Sequence, residues 1–190
     1  MLINNAGVFI VNEKVSQDGL DTRFVVNTIA PYLLVKLLQP LLPGGARVIN
    51  LSSAAQATFH VNELTTTSKQ SDGIVYAQSK LALTVWSINL AETLKENGVV
   101  VIAVNPGSML ASKMVEQAYG VKGKDIQIGA NILCDLALED KYKDASGQYY
   151  DNDSGGFALP HPDALDKQRN QDVVNTIDDF LSNIKHLLDN

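Results

Sequence analysis

Val99-Val100-Val101-Ile102-Ala103-Val104 is an unbroken apolar run, closed by Asn105-Pro106-Gly107-Ser108. A strand with one wet face alternates apolar and polar side chains, whereas a strand covered on both faces does not. This run therefore reads as an inner strand of a parallel sheet. Asn97-Gly98, just before it, is a helix stop. The preceding stretch, Tyr76 to Asn97, has helical periodicity, with Ala77, Leu81, Val85, Ile88 and Leu94 recurring near one face. Further upstream, Pro43-Gly44-Gly45 separates a helix over Leu20 to Leu42, which contains Pro31, from a second β-rich strand, Arg47 to Leu51. Leu2 to Gly7 reads as a short buried strand running into a glycine turn. Ser52 to Val75 is polar and Thr/Ser-rich, and is expected to run over the surface.

Downstream, a loop with Gly120 and Gly123 leads to a helix near Asp125 to Leu138 and a short strand near Gln148 to Tyr150. A polar Gly/Pro-rich stretch follows. The chain then closes with an amphipathic helix from Gln171 to Leu188, whose stripe is Ile177, Phe180, Leu181, Ile184 and Leu188. Strands alternating with helices predict an α/β fold, a parallel sheet with right-handed crossovers, in one domain over residues 1–190. Ligands of such sheets bind beyond the carboxyl ends of the strands. Attention therefore falls on Asn5-Ala6-Gly7, Ser52-Ser53 and Asn105 to Ser108.

Composition excludes several classes. A net charge of −6 and the lack of any basic run argue against nucleic acid and against a membrane surface. The apolar N-terminus lacks the basic start and small-residue cleavage site of a signal peptide. No apolar stretch is read as reaching the roughly eighteen residues of a spanning helix, so a cytoplasmic protein is expected. A lone Cys134 rules out an internal disulfide and is expected to be buried and inert. His60, His161 and His186 have no metal-ligand spacing, and no metal is expected.

Tyr76 and Lys80 are four residues apart on the helix and so share a face. An ammonium about 4 Å from a phenol, at an effective dielectric near 20, favours the phenolate by roughly 4 kcal/mol before desolvation. That corresponds to about three pKa units, enough to bring a phenol towards neutral pH. Ser53, at a strand end, could hold a carbonyl oxygen beside it. The three together make a proton-transfer site for interconverting a carbonyl and an alcohol. Tyr32 and Lys36 repeat the spacing but lack that context, and read as a helix surface pair. Asn27 lies four residues before Pro31, which has no N–H to offer its carbonyl; an inward-facing free carbonyl is a natural water site.

Taken in order, Asn4-Asn5-Ala6-Gly7, Val26-Asn27, Ser52-Ser53, Tyr76-Ala77-Gln78-Ser79-Lys80 and Asn105-Pro106-Gly107 resemble the motifs of the short-chain dehydrogenase/reductase family. Ala145 to Tyr150 also resembles that family's last strand. The resemblance implies part of a Rossmann-type doubly wound sheet and a nicotinamide cofactor, NAD or NADP, with no ground for choosing. It implies that Tyr76 is the general acid/base, that Lys80 lowers its pKa and binds the nicotinamide ribose, and that Ser53 orients the substrate. Asn27 would hold a water linking Lys80 to solvent. Asn5, Ala6 and Gly7 would lie along the adenosine, Pro106, Gly107, Ser108 and Met109 would back the nicotinamide, and Ser112 would contact its carboxamide. Met109, Leu110, Met114, Val115 and Tyr119 would form an apolar lid over a small alcohol or carbonyl substrate, itself apolar.

The chain also departs from the family. It contains no glycine-rich turn of the T-G-x-x-x-G-x-G kind, whose backbone cradles the pyrophosphate. The expectation is a truncated chain that begins at the family's fourth strand. Its cofactor affinity would be poor, and its N-terminal strand would present an apolar edge prone to self-association. The interval from Ser53 to Tyr76 is longer than usual, and the extra segment, Ala57 to Val75, resembles that of retinol-dehydrogenase-like and carbonyl-reductase-like members. It would lie over the substrate mouth or over the helix face that makes dimers. The alternative to an active oxidoreductase is a catalytically incomplete fragment serving as a non-catalytic binding module. A sugar-nucleotide epimerase is disfavoured by the short C-terminal part.

Overall fold

The apolar run lies at the middle of the sheet. In the computed structural model, which describes residues 1–188, β3 spans Val100–Asn105 and all six of its residues are buried. Its neighbour β2, Arg47–Leu51, is buried throughout and runs parallel to it, with Val48 opposite Val101 and Ile49 opposite Ile102. β1, Leu2–Asn4, adds in parallel beyond β2, and β4, Tyr149–Asp151, adds in parallel beyond β3. A fifth strand, β5, Gly156–Ala158, returns antiparallel to β4, giving the order β1-β2-β3-β4-β5. The expected mostly parallel α/β sheet is present. Sequence reasoning left β5 unassigned, because three residues with a single large apolar side chain, Phe157, show no periodicity.

Both faces of the sheet are covered, and successive residues of β3 serve different cores. Val99 and Val101 join one cluster with Leu20, Phe24, Tyr32, Trp86 and Ile177, while Val100, Ile102 and Val104 join the other with Ile132 and Leu136. That division is why the run shows no alternation. The first cluster is built by α1 (Thr22–Phe24), a π-turn (Val25–Ile29), α2 (Ala30–Leu38), α3 (Asp72–Thr93) and α6 (Lys167–Leu188). The second is built by α5, Gln127–Leu138, whose last carbonyls are capped by Arg47: its Nη1 donates to Leu136 O at 3.0 Å and to Glu139 O at 2.8 Å. The short α4, Lys113–Tyr119, stands apart from both.

Four expectations need correction. α3 begins at Asp72, four residues ahead of the expected start, and is buried on nearly every side from Val75 to Ser87 because α6 covers the face away from the sheet. The segment between Ser52 and Val75 is anchored: Phe59 and Leu64 are buried, and Arg169 of α6 donates to Phe59 O and stacks over its ring at 4.7 Å. It rests on α6 and on the start of α3, not over the substrate mouth, because two aromatic and aliphatic anchors sit among its polar residues. Cys134 is exposed on α5, since the apolar face of that helix passes through Ile132 and Leu136 instead. The helical run Thr22–Leu41 is, by length and composition, apolar enough to cross a membrane. Here Phe24, Ile29, Tyr32 and Val35 of that run pack into the first core. Leu188, expected in the stripe of α6, lies outside the residues whose side chains are described.

Arg23 is fully buried inside this core. Its Nε and Nη2 grip both carboxylate oxygens of Asp21, at 2.8 and 2.7 Å, and its Nη1 reaches Asp72 in the first turn of α3. Lys14 pairs with the same Asp72 at 2.8 Å. Removing one partner of a buried pair leaves the other charge unsolvated, which costs about 3–5 kcal/mol. Arg23→Ala should therefore lower the unfolding free energy by about that amount in urea denaturation, and a loss under about 1 kcal/mol would place Asp21 in contact with solvent.

Candidate active site

Lys80 and Tyr76 occupy consecutive turns of α3 on the side facing the ends of β1, β2 and β3, where a cleft of about 590 Å³ opens. Every sequence-predicted site residue lines this cleft except Asn27 and Ala6. The ends of β2 and β3 bring Ser53 and the Pro106 to Met109 loop to opposite sides of it. Gly7, after β1, faces Lys80: a Cβ there would come within 3.3 Å of Lys80 Nζ and 3.4 Å of Asn27 Oδ1. A side chain at this position would crowd the ammonium, so glycine keeps Lys80 open to the cleft.

Of the two adjacent serines, Ser53 lies beside the Tyr76 phenol in the cleft. Its hydroxyl accepts from Ala55 N at 3.1 Å, and its carbonyl accepts from Tyr149 Oη at 3.0 Å. Ser52 is buried and turned away, sharing a hydrogen bond of 2.6 Å with Thr84 Oγ1. Period-two alternation separates the two hydroxyls, since neighbouring residues leaving a strand point to opposite faces.

Asn27 sits behind the cleft, fully buried in the π-turn that precedes Pro31. The widened turn has the Ala30 N–H donating to Val25 O. Its side chain spans three groups: Oδ1 accepts from Val8 N at 2.8 Å, and Nδ2 donates to Val8 O and to Ser79 Oγ, both at 2.9 Å. Asn27 thus ties the backbone after Gly7 to α3, one residue before Lys80. The sequence suggested a role for its carbonyl; the work of its amide was not visible, because Val8 and Ser79 are distant in the chain.

The electrostatics differ from the expectation for a Tyr-Lys pair. Lys80 Nζ lies 5.8 Å from the centre of the Tyr76 ring and donates to Leu51 O at 2.7 Å. Burial pushes the Tyr76 phenol above its ordinary pKa, the polar Ser53 hydroxyl beside it works the other way, and Tyr119 adds to the rise. Burial also pushes the Lys80 ammonium down to about 8. Desolvation outweighs the attraction expected from spacing alone, so each group is held closer to its neutral form. Phe9 contributes to the enclosure, with its ring centroid 4.5 Å from that of Tyr76 and 5.8 Å from that of Tyr119. Sequence reasoning missed Phe9 and Tyr149. A lone aromatic in a loop carries no spacing signal, and which of Tyr149 and Tyr150 turns to the site depends on the strand register.

The lysine has a consequence for stability. Between about pH 8 and 10.5 the folded chain has released the Lys80 proton while the unfolded chain still binds it. On this group's account, stability therefore rises with pH across that window. The rise should approach about 3 kcal/mol and be missing in Lys80→Met. Urea titrations of both proteins at a series of pH values measure it, and parallel curves would mean that Lys80 is solvated.

Residues 1–120 match the family model described as short chain dehydrogenase. Retinol dehydrogenase 13 of Homo sapiens is 31% identical over 187 residues, covering 88% of this chain and 56% of that protein. The chain thus spans about half the length of the curated relatives it matches. Among solved structures, a protein from Mycobacterium paratuberculosis superimposes with a TM-score of 0.75 at 22% identity, covering 94% of this chain and 65% of that one. Landomycin C-6 ketoreductase LanV, with bound NADP and rabelomycin, superimposes with a TM-score of 0.57 at 27% identity, covering 80% of this chain and 58% of the other. With most of its length inside the family model, the chain belongs to the short-chain dehydrogenase family.

Proposed function

We propose that the chain is an NAD- or NADP-dependent oxidoreductase that interconverts an apolar carbonyl compound and its alcohol, with Tyr76 as general acid/base. The observation that carries this reading is the convergence of the Tyr76 phenol, the Ser53 hydroxyl and the Lys80 ammonium in one cleft beyond the strand ends. The opening at Gly7 suits a nicotinamide cofactor, because it leaves space in front of Lys80 that a side chain would fill. Asn5 and Gly7 on one wall, and the Pro106 to Met109 loop with Ser112 on the other, would hold it. When bound, the nicotinamide supplies or accepts the hydride at the carbonyl carbon.

The remaining steps belong to side chains. In reduction, Ser53 donates a hydrogen bond to the substrate oxygen while Tyr76 gives it a proton; in oxidation Tyr76 removes that proton. A phenol pushed above its ordinary pKa is fully protonated near neutrality and suited to the acid role. Lys80, still mostly protonated at pH 7 but easily discharged, is suited to restoring the Tyr76 proton, with the carbonyl of Asn27 proposed to hold the water between Lys80 and solvent. Phe9, Leu110, Met114, Val115, Tyr119 and Leu133 give the cleft an apolar wall, which supports an apolar substrate. Relatives named as a retinol dehydrogenase and a landomycin ketoreductase are consistent with that class.

A fluorescence titration with NADH and NADPH, run on the wild type and on Tyr76→Phe, tests the proposal. The expected result is weak but saturable binding by both proteins below millimolar cofactor, with carbonyl reduction by Tyr76→Phe, assayed alongside, falling about 10²–10⁴-fold. No binding up to millimolar cofactor would overturn the enzyme reading for this chain in favour of a non-catalytic binding module.

A further inference from the structure

We propose that the turn between β4 and β5 is a positioning element of the site, and that Asp153 is the residue through which it acts. The inference rests on the function proposed above, because the loop it holds is the one assigned to the nicotinamide. That loop, Pro106 to Met109, is poorly able to hold its own shape. Gly107 has φ +127° and Met109 has φ +59°, the latter a left-handed conformation that a side chain disfavours. Such a conformation persists only where the surroundings impose it.

The surroundings that impose it are the last residue of β4 and the first two of the turn that follows. Asp151 Oδ1 accepts from Asn105 Nδ2 at 2.7 Å, at the point where the sheet register pairs the two residues. Asn152 donates from its backbone N–H to Asn105 O at 3.0 Å and from its side chain to Pro106 O at 2.9 Å. Asp153 accepts from Asn105 Nδ2 at 2.9 Å, from Ser108 N at 2.9 and 3.0 Å, and from the Ser108 hydroxyl. Ser108 lies between the two left-handed residues, so Asp153 grips the loop where it is most strained.

The same carboxylate reaches a second element. Lys124 Nζ is 3.9 Å from Asp153 Oδ1, and the backbone of Lys124 closes the neck of the excursion that carries α4. There Lys124 N donates to Met109 O, and Ala111 N donates to Lys124 O, both at 2.6 Å. Met114, Val115 and Tyr119, on the apolar wall of the cleft, hang from that neck. Asp153 therefore joins the cofactor-facing loop to the root of the substrate-facing helix. It touches neither ligand position itself and does not line the cleft.

Asp153→Ala and Asp153→Asn, compared with the wild type, test this by two readouts. The first is hydrogen exchange of the unliganded protein, followed at residues 106–124 and at β2 and β3. In Asp153→Ala the loop amides should exchange about ten-fold faster while the sheet is unchanged. The second is steady-state kinetics, in which KM for the nicotinamide cofactor should rise about ten-fold and kcat should change far less. Asp153→Asn, whose amide can still accept from Ser108 N and donate to its hydroxyl but sets an NH2 against Asn105 Nδ2, should recover part of both. Unchanged loop exchange in Asp153→Ala would overturn the proposal, as would faster exchange with an unchanged cofactor KM. A wild type that binds neither NADH nor NADPH would instead overturn the proposed function, and the exchange data alone would then decide whether Asp153 orders the loop.

Discussion

A lysine ammonium buried at the end of a parallel sheet is the constraint to which the rest of the structure answers. Lys80 is 4% exposed and reaches the cleft from a helix buried on nearly every side. Helices at a domain surface spend one face on the core and leave the other in water. α3 cannot, because the sheet lies on one side of it, the α1–α2 run on another and α6 on a third. The segment around Phe59 and Leu64 then closes over the junction of α3 and α6. Polar atoms brought inside by this arrangement need partners, because an unpaired buried group forfeits its hydration.

Those partners come mostly from elements distant in sequence, and they position the site as well as stabilise it. Asn4 donates to Asn50 across β1 and β2, and Asn50 donates to Ser87 of α3, so the first two strands and the helix share one polar chain. Asn27 secures Val8 to Ser79. Thr28 Oγ1 donates to Ser79 O, so the helical run from Thr22 is keyed to the turn of α3 that carries Lys80. On the other side of the cleft, the β4–β5 turn does the same for the loop after β3. Each loop of the site thus has a side chain from elsewhere holding its backbone, while the sheet supplies the rigid base.

Burial has a second effect, on the protons. A tyrosine and a lysine four residues apart suggest a phenol with a lowered pKa, but the enclosure formed by Phe9, Tyr119 and the end of β2 reverses the direction. The phenol rises and the ammonium falls, which reverses their ordinary order, widens the gap between them and makes proton transfer from the Lys80 ammonium to a Tyr76 phenolate downhill. Removing water from a pair of groups favours their neutral forms, and a single charge 5.8 Å from the ring centre does not undo that here.

By itself the sequence determined what depends on local pattern. The unalternating run at Val99 predicted a doubly covered inner strand, the period of α3 placed Tyr76 and Lys80 on one face, and the ordered motifs predicted the family and the residues of the cleft. Helical and strand periods are properties of neighbouring residues, so they can be read without coordinates. Tertiary structure alone decided what the Asn27 amide holds and which way the pKa values move. It also decided that Phe59 and Leu64 anchor a polar segment, that Cys134 faces outward, and that Asp151, Asn152 and Asp153 reach back to Asn105. The physical reason is the same in each case: these outcomes are set by contacts between residues far apart in the chain, and by water excluded only when several elements close together.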